Sequence, residues 1–133
     1  MTHSHSSIFL RRALLADALV SGATGLMMLL GAGLTHGLLG LPEALLREAG
    51  IVLLPYAAIV GFVGTRERFP APAVWGVIAC NIVWAAGSIL LLVSGLVAPK
   101  LLGYAFVVAQ AVVVALFAEL QYVGLRRMRA AIV

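Results

Sequence analysis

A few polar side chains interrupt the long apolar runs of this sequence, and their types are those most able to do chemistry. Asp17 is the only charged residue between positions 13 and 34. A carboxylate in lipid can exchange a proton or bind a cation, and hydroxyls and amides can hold a ligand by hydrogen bonds. The candidate intramembrane polar site consists of Asp17, Ser21, Thr24, Tyr56, Asn81, Gln110 and Glu119.

Helical geometry sorts these residues into faces, since successive residues are turned by about 100°. One stripe, in the first apolar run, has the spacing i, i+4, i+7 and i+11 and consists of Asp17, Ser21, Thr24 and Met28. A second stripe, in the third run, consists of Asn81, Trp84 and Ser88. Polar residues in lipid usually face the interior of a helix bundle, so both stripes are expected to face inward.

In the fourth apolar run, Gln110 and Gln121 are eleven positions apart and therefore nearly eclipsed on a helix. Glu119 lies nine positions from Gln110, which is about half a turn away. Gln110 and Glu119 are thus not expected to point into the same core. One of the two should face elsewhere, for example a partner subunit.

The depth of Asp17 permits both a functional and a structural interpretation. Asp17 follows Arg12 by five residues, which is about 7–8 Å along a helix. In the functional interpretation, Asp17 and Glu119 lie near the mouth of a pocket open to the cytoplasm, and amides lie deeper. In the structural interpretation, the helix dipole and the nearby Arg11 and Arg12 stabilise Asp17, and water reaches this shallow zone. Asn81 and Gln110 are then interhelical hydrogen-bonding residues.

The composition indicates that the solvent of this chain is lipid. Hydrophobic residues make up 63% of it, charged residues 11%, and the mean hydropathy is +1.12. A span needs roughly 20 apolar residues. Four runs are that long: 13–34, 43–64, 73–97 and 101–123. Because short connectors give antiparallel neighbours, the sequence predicts an all-α fold, an integral membrane up-down four-helix bundle formed by one domain, residues 1–133.

The distribution of lysine and arginine predicts the orientation in the membrane. In a four-span arrangement, seven arginines lie on one side, whereas Arg47 and Lys100 lie on the other. Cytoplasmic loops carry the excess of positive residues, so both termini are expected to be cytoplasmic in a multi-pass protein of a bacterial inner membrane. The basic residues flank apolar runs, which favours contact with the lipid bilayer and its headgroups over contact with nucleic acid.

Small residues four positions apart allow two helices to approach closely. In the first run, Ala18 with Gly22 and Ser21 with Gly25 have this spacing. The predicted helix-packing residues are therefore Ala18, Gly22 and Gly25. A homodimer or a membrane protein is a candidate partner for such a face.

Cysteine and histidine usage provides no framework for a metal or a cofactor. Cys80 is the only cysteine, which excludes an internal disulfide. His36 is the only histidine near an apolar run, and a single histidine cannot bis-ligate a haem. The sequence also lacks a nucleophile–base pair, a phosphate-binding loop and metal-ligand spacing. We therefore expect no metal, no cofactor and no enzymatic activity.

The segment "LLADALVSGATGLMM", residues 14–28, resembles the first helix of small multidrug resistance transporters. There a membrane-embedded acid precedes small residues on one face, and Asp17 matches that acid. The resemblance ends with this segment, since those transporters use glutamate and carry later aromatic and glycine patterns that are absent here; membership is therefore rejected. The whole chain resembles small four-span bacterial inner-membrane proteins, which implies a location and a helix count but no chemistry.

Three functional hypotheses remain. The first is a structural or accessory protein that binds a membrane partner or lipid, and it leads because it requires least. The second is a small proton-coupled transporter or channel, working as a dimer, in which Asp17 exchanges a proton for a substrate and Tyr56, Asn81 and Gln110 help to bind it. The third, a membrane enzyme or electron carrier, is supported by nothing beyond these polar residues.

Overall fold

The computed structural model describes the backbone of residues 2–132 and the side chains of residues 7–130, and the regular elements in this part of the chain are all helices. In chain order they are α1 (Thr2–Leu30), α2 (Ala32–Leu39), α3 (Glu43–Thr65), α4 (Ala71–Ser94) and α5 (Leu101–Ile132). Four of them, all except α2, are long and apolar enough to cross a membrane. The all-helical prediction is therefore confirmed, and the fold is compatible with an integral membrane protein.

The first apolar run, residues 13–34, does not form one continuous helix. The chain leaves helical geometry at Gly31, whose φ and ψ are −97° and 4°. A Cβ at this position would lie 2.6 Å from the carbonyl oxygen of Met27, so the break requires glycine. Thr35 donates its hydroxyl hydrogen to the carbonyl oxygen of Gly31 at 2.8 Å, which stabilises the first turn of α2.

The short helix α2 forms from residues that the hydropathy pattern assigned mostly to a connector. It ends at Gly40, which has a positive φ of 69°. Lys100 connects it to the beginning of α5 by two hydrogen bonds: its backbone N–H donates to the carbonyl oxygen of Leu39 at 3.0 Å, and its ammonium donates to that of Gly37 at 2.6 Å. Lys100 thus satisfies carbonyl groups that the end of a helix leaves without partners.

The four long helices pack unequally around the core. The helix α1 packs closely against α3 and also against α5, and α4 packs against α5. By contrast, α3 and α4 barely touch although they follow each other in the chain. This unequal packing leaves an opening between α3 and α4.

Small residues explain the close approach of α1 and α3. A Cβ added to Gly25 would lie 3.0 Å from the Cβ of Leu53, and one added to Gly50 would lie 2.7 Å from the carbonyl oxygen of Gly25. Further along the same seam, Ala18 faces Gly61. The predicted helix-packing face of α1 is thus occupied by α3 of the same chain.

Two apolar clusters form the core on either side of a group of polar residues. One cluster includes Leu14 on α1 and Val60 on α3, and the other includes Met28 on α1 and Leu53 on α3. On both helices, polar side chains lie between the members of the two clusters. The interior of the bundle therefore changes from apolar to polar and back along its length.

Candidate functional site

A hydrogen-bonded network around Asp17 occupies the polar part of the core. The Asp17 side chain is 0% exposed. Its Oδ1 accepts a hydrogen bond from Ser21 Oγ at 2.9 Å. Its Oδ2 accepts from Tyr56 Oη at 2.8 Å, Asn81 Nδ2 at 2.9 Å and Gln121 Nε2 at 2.7 Å. The donors come from all four long helices, with Ser21 on α1, Tyr56 on α3, Asn81 on α4 and Gln121 on α5. We call these five residues the Asp17 network.

The donors of the Asp17 network also bind one another. Asn81 Nδ2 donates to Gln121 Oε1 at 3.0 Å, and Tyr56 Oη lies 2.8 Å from Asn81 Oδ1. All of these donors are neutral groups. If Asp17 is ionised, its charge is therefore stabilised by dipoles alone, a costly arrangement that persists only with good hydrogen-bond geometry.

The hydroxyl of Tyr56 has one hydrogen and two oxygen atoms within reach. Both Asp17 Oδ2 and Asn81 Oδ1 lie 2.8 Å from it. With an ionised Asp17, this hydrogen serves only one of the two contacts. With a protonated Asp17, the carboxyl hydrogen is donated to Tyr56, and the Tyr56 hydrogen is free to be donated to Asn81. The network thus has two hydrogen-bond arrangements that differ by one proton.

The packing of α1 against α3 brings the Tyr56 hydroxyl within hydrogen-bond distance of Asp17. Gly22 on α1 lies opposite Ala57, the residue that follows Tyr56. Because neither residue holds the helices apart, the tyrosine hydroxyl reaches Asp17 across the seam. Ser21 reaches Asp17 within α1 because residues four positions apart are neighbours on a helix.

Arg11, one of the two arginines that precede the first apolar run, has partners other than Asp17. Arg11 donates from Nη1 to the carbonyl oxygen of Gly64 at 2.6 Å and from Nη2 to that of Arg66 at 3.0 Å. Its guanidinium also lies 4.9 Å from the centre of the Phe69 ring. Arg11 therefore caps the C-terminal end of α3, and Asp17 lies deeper, among neutral donors.

The structure places the predicted site residues in four different surroundings. Four of them meet in the Asp17 network: Asp17, Ser21, Tyr56 and Asn81. Thr24 is half-buried, and among residues 7–130 no hydrogen bond joins it to this network. Gln110 belongs to a second cluster, described below, and Glu119 is exposed.

Gln121 is the network residue that the candidate site omitted. The sequence contained a signal for it, since Gln121 is nearly eclipsed with Gln110 on one face of α5. Glu119, the charged residue nearby, lies on another face of α5 and is exposed. The helical spacing was therefore a better guide to the core than the charge.

A second polar cluster, the Trp84 cluster, consists of Trp84, Ser88 and Gln110. Trp84 Nε1 donates to Gln110 Oε1 at 2.7 Å. Gln110 Nε2 donates to Ser88 Oγ at 3.0 Å and to the carbonyl oxygen of Val107 at 2.8 Å. Ser88 Oγ donates to the carbonyl oxygen of Trp84 at 2.7 Å. This cluster joins α4 to α5 at a different depth from the Asp17 network.

A cavity of about 800 Å³ lies between α3 and α4, and both polar groups border it. Its wall is mostly apolar, and the described residues that form it include no lysine, arginine, histidine, aspartate or glutamate. The polar residues in this wall are Ser21, Tyr56, Asn81, Trp84, Ser88 and Gln110. Asp17 lies behind three of them, Ser21, Tyr56 and Asn81, and is not in contact with the cavity.

The acidic, histidine and cysteine residues do not converge on a metal site. Among the described residues, no group of three or more of these side chains could hold a metal ion. Cys80 is free and exposed, and it lies in the cavity wall.

The helices and the buried network together are compatible with one class, a multi-pass helical membrane protein with a polar centre in its core. Comparison of the chain with protein-family models, with curated proteins and with solved structures gives no match. A functional proposal therefore has to be based on the geometry of the network and the cavity.

The Asp17→Ala substitution tests how much the Asp17 network contributes to the stability of the fold. It leaves buried donors on four helices without their acceptor, so we expect the free energy of unfolding to fall by about 1–3 kcal/mol. Denaturation in mixed detergent micelles measures this change. Glu119→Ala is the matched control, because Glu119 is an exposed acid on α5, and its effect should stay within about 0.5 kcal/mol. Equal losses for the two variants would contradict the assigned role.

Proposed function

We propose that the chain forms an up-down four-helix bundle in a bacterial inner membrane, with both termini in the cytoplasm. Contacts at the helix ends support the alternating direction. Arg11, near the beginning of α1, binds Gly64 at the end of α3. Trp75, near the beginning of α4, lies with its ring centre 5.7 Å from that of Tyr122, near the end of α5. The excess of arginine on one side supports the orientation.

Reporter fusions test this topology. We expect a fusion of green fluorescent protein after Val133 to fluoresce, and a fusion of alkaline phosphatase at the same place to be inactive. Fusions after Pro99, between α4 and α5, should give the opposite pair of results. Active phosphatase at the C-terminus would contradict the orientation, and equal results at both places would contradict a fourth span.

We propose that the protein is a non-enzymatic accessory protein that binds a lipid inside the membrane. The observation that carries this proposal is the cavity of about 800 Å³ between α3 and α4. Ligand sites in proteins have volumes of about 300–1,000 Å³ and are mostly apolar with a few placed polar groups. The wall described above has this composition.

The position of the cavity favours a ligand that arrives from the bilayer. The helices α3 and α4 barely touch, so the cavity is bordered by faces that meet lipid. Large side chains such as Val52, Ile59 and Val83 are exposed and also line the cavity. A molecule dissolved in the membrane can therefore enter sideways without crossing water.

A homodimer or a membrane-protein partner is less well supported. The small-residue face of α1, which is the face best suited to a close contact, is occupied by α3. A partner helix would have to pack on the outer faces, which carry large side chains such as Leu19, Phe62 and Leu90. The cavity is the more specific feature, and nothing in its wall suits nucleic acid.

Filling the cavity tests lipid binding. Gly87 lines the cavity, and a Cβ there meets no atom within 4 Å, so Gly87→Leu occupies the space without a clash in the backbone. We expect native mass spectrometry of the purified protein with a bacterial lipid extract to show a one-to-one lipid adduct that Gly87→Leu abolishes.

Gly76→Leu is the matched control for this experiment. Gly76 lies on the same helix, has the same free space at its Cβ and is not part of the cavity wall. Its adduct should equal that of the parent protein. If Gly76→Leu and Gly87→Leu bind lipid equally well, the cavity is not the binding site and the proposal fails.

A second candidate function, proton-coupled transport, is favoured by the two hydrogen-bond arrangements of the Asp17 network. A carboxylate that is buried without a cation and can hold or release one proton is suited to exchange that proton for a substrate. In this structure Asp17 is not in contact with the cavity, so a substrate would first have to displace Tyr56. This additional step makes transport the second candidate.

Proton flux in proteoliposomes tests the transport hypothesis. If Asp17 exchanges a proton for a cation, tetraphenylphosphonium should dissipate an imposed pH gradient in vesicles with the parent protein and not in those with Asp17→Asn. Glu48→Gln, which removes an exposed acid near the beginning of α3, should behave like the parent protein. Equal dissipation by Asp17→Asn would exclude Asp17 as the proton carrier.

A further inference from the structure

We propose that the cavity selects a neutral lipid whose polar end is a hydroxyl group, and that the Trp84 cluster accepts the hydrogen of this hydroxyl. This inference rests on the proposed function, since it names the class of lipid that the same cavity binds. The polar groups of the cavity wall form hydrogen bonds with one another, and the hydrogens and lone pairs that remain free determine which ligand fits.

The orientation of the Gln110 amide is fixed by its neighbours. The indole N–H of Trp84 is only a donor, so the Gln110 atom 2.7 Å from it has to be the oxygen. The Gln110 nitrogen then lies beside two acceptors, Ser88 Oγ at 3.0 Å and the carbonyl oxygen of Val107 at 2.8 Å. Both amide hydrogens are therefore used.

The Trp84 cluster has spare acceptors and no spare donor. The hydroxyl hydrogen of Ser88 is donated to the carbonyl oxygen of Trp84. The indole hydrogen of Trp84 is donated to Gln110. What remains is one lone pair on Gln110 Oε1 and one on Ser88 Oγ, because each oxygen accepts two hydrogen bonds and here accepts one. A ligand that contacts this cluster has to bring the hydrogen itself.

The residues of the Asp17 network that line the cavity also use their hydrogens in bonds to one another. Ser21 donates to Asp17, and the two amide hydrogens of Asn81 are donated to Asp17 and Gln121. The single hydroxyl hydrogen of Tyr56 is used within the same network. Apart from the weak S–H donor of Cys80, the described residues of the cavity wall therefore offer no hydrogen to a ligand.

Charge excludes the commonest membrane lipids from this site. Phosphate and carboxylate headgroups are acceptors that need donors or cations, and none of the described residues that line the cavity is charged. An anion there would face oxygen lone pairs in a low-dielectric environment, which is costly. A hydroxyl group has a hydrogen to donate and carries no charge, so it fits.

Polar selection is expected to decide the affinity because the surroundings are lipid. Moving an apolar chain from the bilayer into an apolar cavity gains little, since lipid tails are as apolar as the side chains. The chain of the ligand fills the cavity, and the hydrogen bond to the cluster discriminates between headgroups.

Photoreactive probes that share one saturated, diazirine-bearing chain test the inference in vesicles containing the full chain. One probe ends in a hydroxyl, one in a phosphate and one in a trimethylammonium group. Peptide mass spectrometry measures the labelling of α4. We expect the alcohol to label α4 about threefold to tenfold more than the phosphate, which corresponds to one hydrogen bond in a membrane protein.

The triple variant Trp84→Phe/Ser88→Ala/Gln110→Leu removes both spare acceptors, Gln110 Oε1 and Ser88 Oγ, together with the donors that bind them. Removal of the partners together leaves no side chain of the cluster unsatisfied, so the fold is expected to tolerate the change. The preference for the alcohol should fall to about onefold, with labelling by the phosphate probe unchanged. Persistence of the preference in the triple variant would overturn the assignment to the Trp84 cluster.

The outcomes separate this inference from the proposed function. Equal labelling by alcohol and phosphate, blocked by Gly87→Leu, would overturn the headgroup selection and leave lipid binding intact. Stronger labelling by the trimethylammonium probe would overturn the headgroup selection and favour a cationic ligand that Asp17 attracts. If Gly87→Leu changes the labelling by none of the three probes, the cavity binds no lipid and the proposed function fails as well.

Discussion

The structure depends on the burial of one carboxyl group without a positive partner. Asp17 is fully buried, and within residues 7–130 its oxygens accept hydrogen bonds only from neutral side chains. Turning any helix by one residue rotates its side chains by about 100° and would remove that helix's donor. Apolar packing in lipid is weakly directional, so apolar contacts alone leave the rotation of a helix poorly determined. The Asp17 network therefore fixes the mutual rotation and depth of the four long helices.

The same constraint explains why the bundle is closed on one side and open on another. To bring the Tyr56 hydroxyl to Asp17, α1 and α3 approach closely through small residues such as Gly25 and Gly50. Asn81 reaches Asp17 from α4, but the helices α3 and α4 barely touch. The contact of Tyr56 Oη with Asn81 Oδ1 at 2.8 Å joins these two helices at one depth and leaves space elsewhere along them. The cavity is this space.

Much of the fold could be predicted because it follows from the length of the apolar runs that lipid requires and from the helical spacing of the polar residues. Four apolar runs predicted helices long enough to cross a membrane, and helical spacing placed Asp17 and Ser21 on one face. It also placed Gln121 on the face of Gln110. The choice between Gln121 and Glu119 as the inner residue could not be made from α5 alone, because it depends on which side of this helix α1 packs. Local spacing carries no information about that neighbour.

The break at Gly31 and the partners of Arg11 were beyond prediction for a different reason. Hydropathy reports how apolar a segment is and is insensitive to a single glycine that leaves helical geometry. A positive side chain near an acid in the sequence suggests an ion pair. The open carbonyl groups at the end of α3 are the partners that Arg11 binds instead, and they exist only once the helices have packed. Both features depend on tertiary structure.

Tyr56 makes the protonation of Asp17 and the shape of the cavity interdependent. Its hydroxyl contacts Asp17 and Asn81, and its side chain forms part of the cavity wall. When Asp17 is protonated, every oxygen–oxygen contact in the network contains a hydrogen. When Asp17 is ionised, one contact at 2.8 Å, either that of Tyr56 with Asn81 or that with Asp17, has none and is repulsive. Relief of this repulsion requires Tyr56 or Asn81 to move, and both residues line the cavity. The Asp17 network and the cavity wall therefore share the side chains of Tyr56 and Asn81, and this shared pair is the structural basis common to the two proposed functions.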